Sequence, residues 1–360
     1  MRQLISRLQL LRDQIRQKLG IALFDKARST NSLDPKSIQH VVILRVDAKL
    51  GDSFVSSFVA KDIKAFNPAI KVTVVTTSAM RSLFLDYWGA DEVIELKKRP
   101  KYRDITNACR QIGDCDLLVS LTLNPKMKDL FFLSQCRAKH IAGLKDSLKI
   151  VDIKLGEKTR SMHFAERFAY LLEEIGITAH ARRYVIPQDQ HSIATADSYI
   201  AAHSATPFCV LNAYGSGNSR KLNGESIKRL VTMVKRHDKH LNVILISSPD
   251  TVAITNEYIK QYQLDALHYD VSRSILDVAS LVARSEFVIS VDTAIVHMAT
   301  GLNKPQLALY NPDPDNFNQW HPNSDRAYTS VALETDIPDI NMLDWNDIEQ
   351  KLKQIIDTIG

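Results

Sequence analysis

The chain reads as an α/β protein built from two Rossmann-like domains, and three observations say so. Short apolar runs of strand length alternate with helical segments from residue 40 onward. The pattern then breaks and restarts at Phe208 with a fresh strand and a Gly-rich turn. Finally, 360 residues that are 45% hydrophobic and 24% charged make an ordinary globular chain, long enough for about two domains of the usual size.

The elements follow in order. After a polar linker over Ser29 to Ser37, a strand is expected over His40 to Val46. The turn Asp47-Ala48-Lys49-Leu50-Gly51-Asp52 leads from it into a helical pattern running to Phe66. A strand over Val72 to Thr76 completes a βαβ unit. Glu92 to Leu96 and Leu117 to Leu121 read as successive parallel strands, and a helix over His163 to Ile175 closes the half. In the second half Phe208 to Asn212 is a strand, Tyr214 to Asn218 a turn, Gly224 to His237 an amphipathic helix and Asn242 to Ser247 a strand. Ser274 to Ala283 is helical and Phe287 to Val291 a strand, and a last helix over Trp345 to Ile359 is expected to brace the first domain. The resulting boundaries are an arm over 1–38, domains over 39–185 and 186–340, and a terminal helix over 341–360.

Charge is concentrated at the start. Residues 1 to 28 hold seven basic side chains (Arg2, Arg7, Arg12, Arg16, Lys18, Lys26, Arg28) against Asp13 and Asp25, so the whole formal excess of +5 resides there. Leu4, Leu8, Leu11, Ile15 and Leu19 recur at steps of three and four beside these cations. Such a helix suits an anionic membrane surface, and equally suits packing on its own domain or on a second subunit. No run reaches the roughly 18 apolar residues of a membrane span, and the N-terminus lacks a signal-peptide pattern. A cytoplasmic protein is expected, with the arm as its candidate contact with the inner membrane. Cys109, Cys115, Cys136 and Cys209 form no C-x-x-C pair and read as reduced, partly buried thiols.

The richest stretch is Ser290 to Pro312, SVDTAIVHMATGLNKPQLALYNP. A small-residue turn at Asp292-Thr293-Ala294 joins a buried strand to a short helix carrying His297. A second strand, Gln306 to Tyr310, follows. A helix opening directly after a strand presents N–H groups and the positive end of its dipole, which suits a diphosphate.

This stretch resembles the donor-binding signature of glycosyltransferase family 9, the ADP-heptose:lipopolysaccharide heptosyltransferases, D-[ST]-G-x-x-H-x-A-x-A-x-x-x-P. Asp292, Thr293, His297, Ala299 and Pro305 match; Ala294 stands where the family prefers Gly, and Asn311 where a Gly commonly precedes the Pro. Three further places are similar to the family in the right order: Leu50-Gly51-Asp52, the H-x-x-E-R segment at His163, and Asn212 to Glu225. The resemblance spans most of residues 40 to 322. It implies a GT-B fold, two Rossmann-like domains facing across a cleft, with acceptor on the first and nucleotide sugar on the second.

Sugar transfer with inversion needs a base for the acceptor hydroxyl. Asp52 is the candidate: Gly51 permits a tight turn that aims it into the cleft, and the family's catalytic Asp occupies this motif position. An Asp here also suits a helix cap, and Asp47 is the nearest rival. The departing diphosphate needs cations or N–H dipoles. Lys221 matches the family's Lys before the second-domain helix, with Ser219 and Arg220 beside it. Asp292 is expected on donor-sugar hydroxyls, since a carboxylate beside a diphosphate is repelled, while Thr293 and the Ala294 N–H are placed for phosphate oxygens. His297 either contacts phosphate or braces the turn. The basic run Lys97, Lys98, Arg99, Lys101 and Arg103 suits an anionic lipopolysaccharide acceptor, or is a solvated loop.

Asp313-Pro314-Asp315 has metal-binding D-x-D spacing but reads as a loop over the nucleotide. The resemblance implies no metal or other cofactor, and no His or Cys cluster has zinc spacing. Nucleic acid is disfavoured because the chain beyond the arm is formally neutral. The function this implies is an inverting transfer of a sugar, heptose from ADP-heptose by resemblance, to a lipopolysaccharide or related acceptor. A family 9 enzyme using another nucleotide sugar, or a non-catalytic nucleotide-sugar binding protein, stays open. An NAD-dependent enzyme is disfavoured because no strand leads into G-x-G-x-x-G.

Overall fold

A computed structural model of the chain describes residues 2–28, 32–46 and 49–359, with the backbone alone for 2–11. The chain forms two compact units, one running to Ala181 and the other starting at Arg182.

The first unit contains α1 (Arg2–Phe24), β1 (His40–Arg45), α2 (Leu50–Val55), α3 (Val59–Phe66), β2 (Lys71–Thr76) and β3 (Glu92–Glu95). It continues with α4 (Tyr102–Ile112), β4 (Asp114–Ser120), α5 (Met127–Gln135), β5 (Arg137–Gly143), β6 (Ile153–Lys154) and α6 (Phe164–Glu174). Its six strands lie in the order β3-β2-β1-β4-β5-β6, and every pairing is parallel. A parallel sheet is covered on both faces, which is why these strands are apolar along their length rather than alternating. Val41 and Val42 of β1 and Leu117 and Leu118 of β4 are buried in this way.

The second unit contains α7 (Gln190–Ala202), β7 (Phe208–Asn212), α8 (Gly224–His237), β8 (Asn242–Ile246), α9 (Val252–Gln261), β9 (Leu267–Tyr269) and α10 (Ile275–Arg284). After these come β10 (Val288–Val291), α11 (Ala294–Gly301), β11 (Gln306–Tyr310), α12 (Pro314–Trp320), β12 (Ala327–Val331) and α13 (Trp345–Ile359). The order β9-β8-β7-β10-β11-β12, again all parallel, repeats the first sheet strand for strand. Both units thus have the Rossmann order, in which the strand sequence reverses at one place in the sheet.

Two expectations are corrected. The helix after Asp52 is not continuous to Phe66. The Ser57 hydroxyl donates to the Phe54 carbonyl at 2.6 Å and the Ser56 hydroxyl to the Ser53 carbonyl at 3.2 Å, and α2 ends there. The terminal helix α13 lies on its own unit: Ile348, Leu352 and Ile355 share a core with Leu230 and Val231 of α8. Of the alternatives open for the arm, its C-terminal part takes packing on its own domain, since Ile21 and Phe24 of α1 rest against the first unit's core. All four cysteines are free and buried. No helix of the described residues is long and apolar enough to cross a membrane.

Candidate active site

Ligands of doubly wound sheets bind beyond the carboxyl ends of the strands, where the order reverses. In the second unit that place lies between β7 and β10. After Asn212 the chain turns back in a hairpin bridged at Tyr214 and Lys221. The Gly215 N–H donates to the Arg220 carbonyl at 2.7 Å. A Cβ at Gly215 would stand 2.9 Å from that carbonyl oxygen, so only glycine fits. Gly217 takes the corner at φ +85°, which costs glycine nothing.

Facing this hairpin is the turn from β10 into α11. Thr293 caps the helix, its hydroxyl accepting from the Ile295 N–H at 3.2 Å and from Asn212 Nδ2 at 2.9 Å. Asn212 also donates to Ser290 Oγ at 3.0 Å, so one buried amide ties the two strands of the reversal together. Ala294 is the first residue of α11 and is absent from the positive-φ residues of the described chain, so Ala in place of Gly brings no strain.

Asp292, with its side chain 11% exposed, accepts from Arg220 at 3.0 Å and from Asn316 Nδ2 at 3.0 Å. The carboxylate anticipated on donor hydroxyls therefore holds a guanidinium beside the hairpin. Asn311 donates to the Ser219 carbonyl at 2.9 Å, strapping the hairpin to the end of β11. Lys221 is exposed, and no carboxylate among the described residues pairs with it.

His297 lies buried in α11 with its ring 6.3 Å from Tyr184 and 6.2 Å from Trp320. Burial, with a smaller contribution from His321, lowers its pKa to about 4. The neutral imidazole is held by these ring contacts, and among the described residues its Nδ1 makes no hydrogen bond to the turn. Asp313-Pro314-Asp315 is a helix start rather than a loop, for Asp313 caps α12 by accepting from the Asn316 N–H at 3.0 Å.

A cavity of about 680 Å³ opens over these strand ends, lined by Asn212, Tyr214, Thr293 and Ala294. Its volume lies in the range of small-ligand sites. Ser247, Ser248, Asp270, Arg273 and Ser274 also line it, and sequence reasoning missed them. They follow β8 and β9, and β9 is three residues long, too short to show a period.

In the first unit the reversal falls between β1 and β4. Asp52 occupies the first turn of α2 directly after β1, while the cap position belongs to Lys49, which makes no side-chain capping bond. Asp47 lies outside the described residues. Lys97, Lys98, Arg99, Lys101 and Arg103 are all exposed between β3 and the start of α4. Because β1, β2 and β3 run parallel, this basic run and Asp52 share the carboxyl edge of one sheet. The His163 segment is structural: His163 Nδ1 accepts from the Ala165 N–H at 3.1 Å and Glu166 accepts from the His163 N–H at 3.1 Å, which caps α6. Arg167, 2% exposed, donates to the Met162 and Arg160 carbonyls.

Two Rossmann-like parallel sheets, with a helix start and an anchored arginine at the second reversal, are the architecture of the GT-B fold class. The model of glycosyltransferase family 9 (heptosyltransferase) matches residues 107–347, and the chain belongs to this family. It is 24% identical over 331 residues to a putative lipopolysaccharide heptosyltransferase 4 of Escherichia coli K12, covering 89% of this chain and 88% of that protein. A family 9 glycosyltransferase structure from Veillonella parvula superposes with TM-score 0.73 at 15% identity, covering 92% of this chain and 99% of that one. The E. coli heptosyltransferase WaaC with ADP superposes with TM-score 0.63 at 17% identity, covering 89% and 100%. Asp52 precedes the stretch matched by the family model.

Proposed function

We propose that the chain transfers heptose from ADP-heptose, with inversion, to a lipopolysaccharide core or related cell-surface acceptor. The observation carrying this reading is the second-unit cavity, walled by Tyr214 of the Gly-rich hairpin and by Thr293 and Ala294 at the start of α11, with Arg220 of the same hairpin held by Asp292. Donor chemistry draws support from the E. coli relatives, whose names specify lipopolysaccharide, heptosyl transfer and, for WaaC, bound ADP.

In this reading the diphosphate rests on the first N–H groups of α11 and on Ser219, Arg220 and Lys221, with Thr293 and Ala294 at the turn and His297 bracing it. Asp292 orients Arg220 toward the leaving group. The acceptor oxygen attacks the anomeric carbon from the face opposite the diphosphate. The new C–O bond forms as the bond to the β-phosphate breaks, and the acceptor proton passes to the Asp52 carboxylate. Charge developing on the leaving diphosphate is met by fixed cations and dipoles, which need no reorganisation at that moment. The basic run Lys97 to Arg103 receives the anionic acceptor, and residues 1–28 contact the inner membrane surface that bears it. No resident metal or cofactor enters the chemistry.

The test is an assay of ADP-heptose against other nucleotide sugars, using a delipidated core oligosaccharide as acceptor. ADP-heptose is expected to give an inverted anomeric linkage, with turnover unchanged by EDTA. Transfer from a UDP- or GDP-sugar alone would remove the donor assignment, and binding without any transfer would favour a nucleotide-sugar binding protein.

A further inference from the structure

The described side chains of α1 pack through one face only. Gln17 donates to the Pro125 carbonyl at 2.9 Å, Gly20 lies so close to α5 that a Cβ would stand 3.0 Å from Leu130, and Phe24 meets Phe131 edge-on at 5.2 Å. The opposite face is bare: Ile15, Leu19 and Leu23 are 50%, 52% and 54% exposed, beside the exposed Arg12, Arg16 and Lys18. The side chains of Leu4, Leu8 and Leu11, which extend this spacing in the sequence, lie outside the described residues.

Where α1 ends, the chain passes the amino ends of β4 and β5 and walls a cavity of about 920 Å³. Leu23 and Phe24 give it an apolar side and Lys26, Arg28, Arg137 and Lys139 a basic one. Arg137 is neutralised by Asp114 at 3.0 Å and Lys139 by Asp116 at 2.7 Å. Lys26 and Arg28 meet no carboxylate among the described residues. Arg28 instead donates to the Ala138 carbonyl, which fixes its guanidinium beside the cavity. Two unneutralised cations at one cavity suit a phosphate, which takes short charge-assisted hydrogen bonds from both. Leu23 belongs at once to the cavity wall and to the exposed stripe. A phosphate held there with an apolar tail has a continuous apolar path along Leu23 and Leu19, which a free phosphate would not use.

We propose that this cavity seats the phosphate of an anionic phospholipid, with Lys26 and Arg28 on the headgroup and the acyl chains leaving along α1 into the bilayer. The proposal rests on the reading that α1 lies on the membrane surface. It makes α1 a site for particular lipids as well as a diffuse electrostatic contact.

The experiment is sedimentation of the full chain with vesicles of phosphatidylcholine, with and without phosphatidylglycerol, comparing Lys26→Glu with Arg12→Glu. Each variant reverses one exposed cation on the same segment, so diffuse attraction predicts equal losses. The site predicts a loss for Lys26→Glu that exceeds the loss for Arg12→Glu by on the order of tenfold, while transfer to a delipidated acceptor is unchanged. Equal losses overturn the headgroup site and leave the membrane reading standing. Failure of the intact protein to bind phosphatidylglycerol vesicles at low salt overturns both. A second measurement dispenses with the bilayer: soluble dihexanoyl phosphatidylglycerol, titrated below its micelle concentration, should bind the intact chain and not Lys26→Glu or Arg28→Gln. No binding of this lipid, or equal binding of inorganic phosphate, overturns the lipid assignment.

Discussion

The two strand reversals share one topology and are finished differently. In the second unit, side chains from four separate segments lock the loops: Asn212 holds Thr293, Asp292 holds Arg220, Asn316 steadies Asp292, and Asn311 straps Ser219. In the first unit the corresponding edge offers a carboxylate on a six-residue helix and a run of exposed cations. The difference matches the two tasks proposed for these edges. Stabilising a leaving diphosphate calls for dipoles fixed in advance, because reorganising them during the reaction would cost the energy they are meant to supply. Accepting one proton from a bulky, flexible glycan calls for a single well-placed group and an open, attractive surface.

The comparison breaks most visibly at Asp52. Asp52→Asn removes the proposed proton acceptor and is expected to lower kcat by about 10²- to 10⁴-fold in a steady-state assay. A fall of less than about tenfold would move the base elsewhere on the first unit.

The next effect belongs to the second unit and is driven by pH. Since the folded pKa of His297, about 4, lies below its ordinary value of 6.5, the unfolded chain binds the proton more readily. The stability this group contributes is full above about pH 6.5 and is lost as pH falls toward 4, by at most about 3 kcal/mol. Thermal unfolding followed from pH 7 down to pH 4 should show a steeper decline for the native chain than for His297→Gln. Parallel curves would mean that the imidazole is hydrated.

Arg220→Gln removes the cation that Asp292 holds and one of the two charged donors proposed for the diphosphate. Donor affinity should fall by about 10- to 100-fold, the worth of a charge-assisted hydrogen bond, with a smaller change in acceptor KM. The smallest effect is expected from Asn311→Ala, which removes one neutral bond to the hairpin and should weaken donor binding by about fivefold. Isothermal titration with ADP resolves both. If Asn311→Ala proved the more damaging, the hairpin's position would outweigh its charge.

Much of this was legible in the sequence, for identifiable reasons. Phe208–Asn212, Gly224–His237 and Trp345–Ile359 form the elements their periodicity specifies, to the residue. The two reversals follow from the restart of the strand-turn-helix pattern. What stayed hidden depends on contacts between distant segments. Nothing local in Asp292 announces Arg220, and Asn311 reads as a departure from a family pattern until its bond to Ser219 is seen. The break after Val55 arises from serine hydroxyls competing for helix carbonyls, a local effect that hydrophobic spacing does not register. Asp313-Pro314-Asp315 read as a loop because its spacing and proline do not by themselves distinguish a loop from a capped helix start. The destination of α13 is likewise a matter of tertiary packing, since its apolar face fits any complementary surface.

The central claim is that donor binding belongs to the second reversal and proton acceptance to the first. It is tested most directly by titrating ADP-heptose into Asp52→Asn and measuring the dissociation constant beside that of the native chain. Affinity within about twofold of native, in a variant that no longer turns over, is the result this account predicts. A loss of donor affinity as large as the loss of turnover would contradict it and place Asp52 in the donor site or in the scaffold.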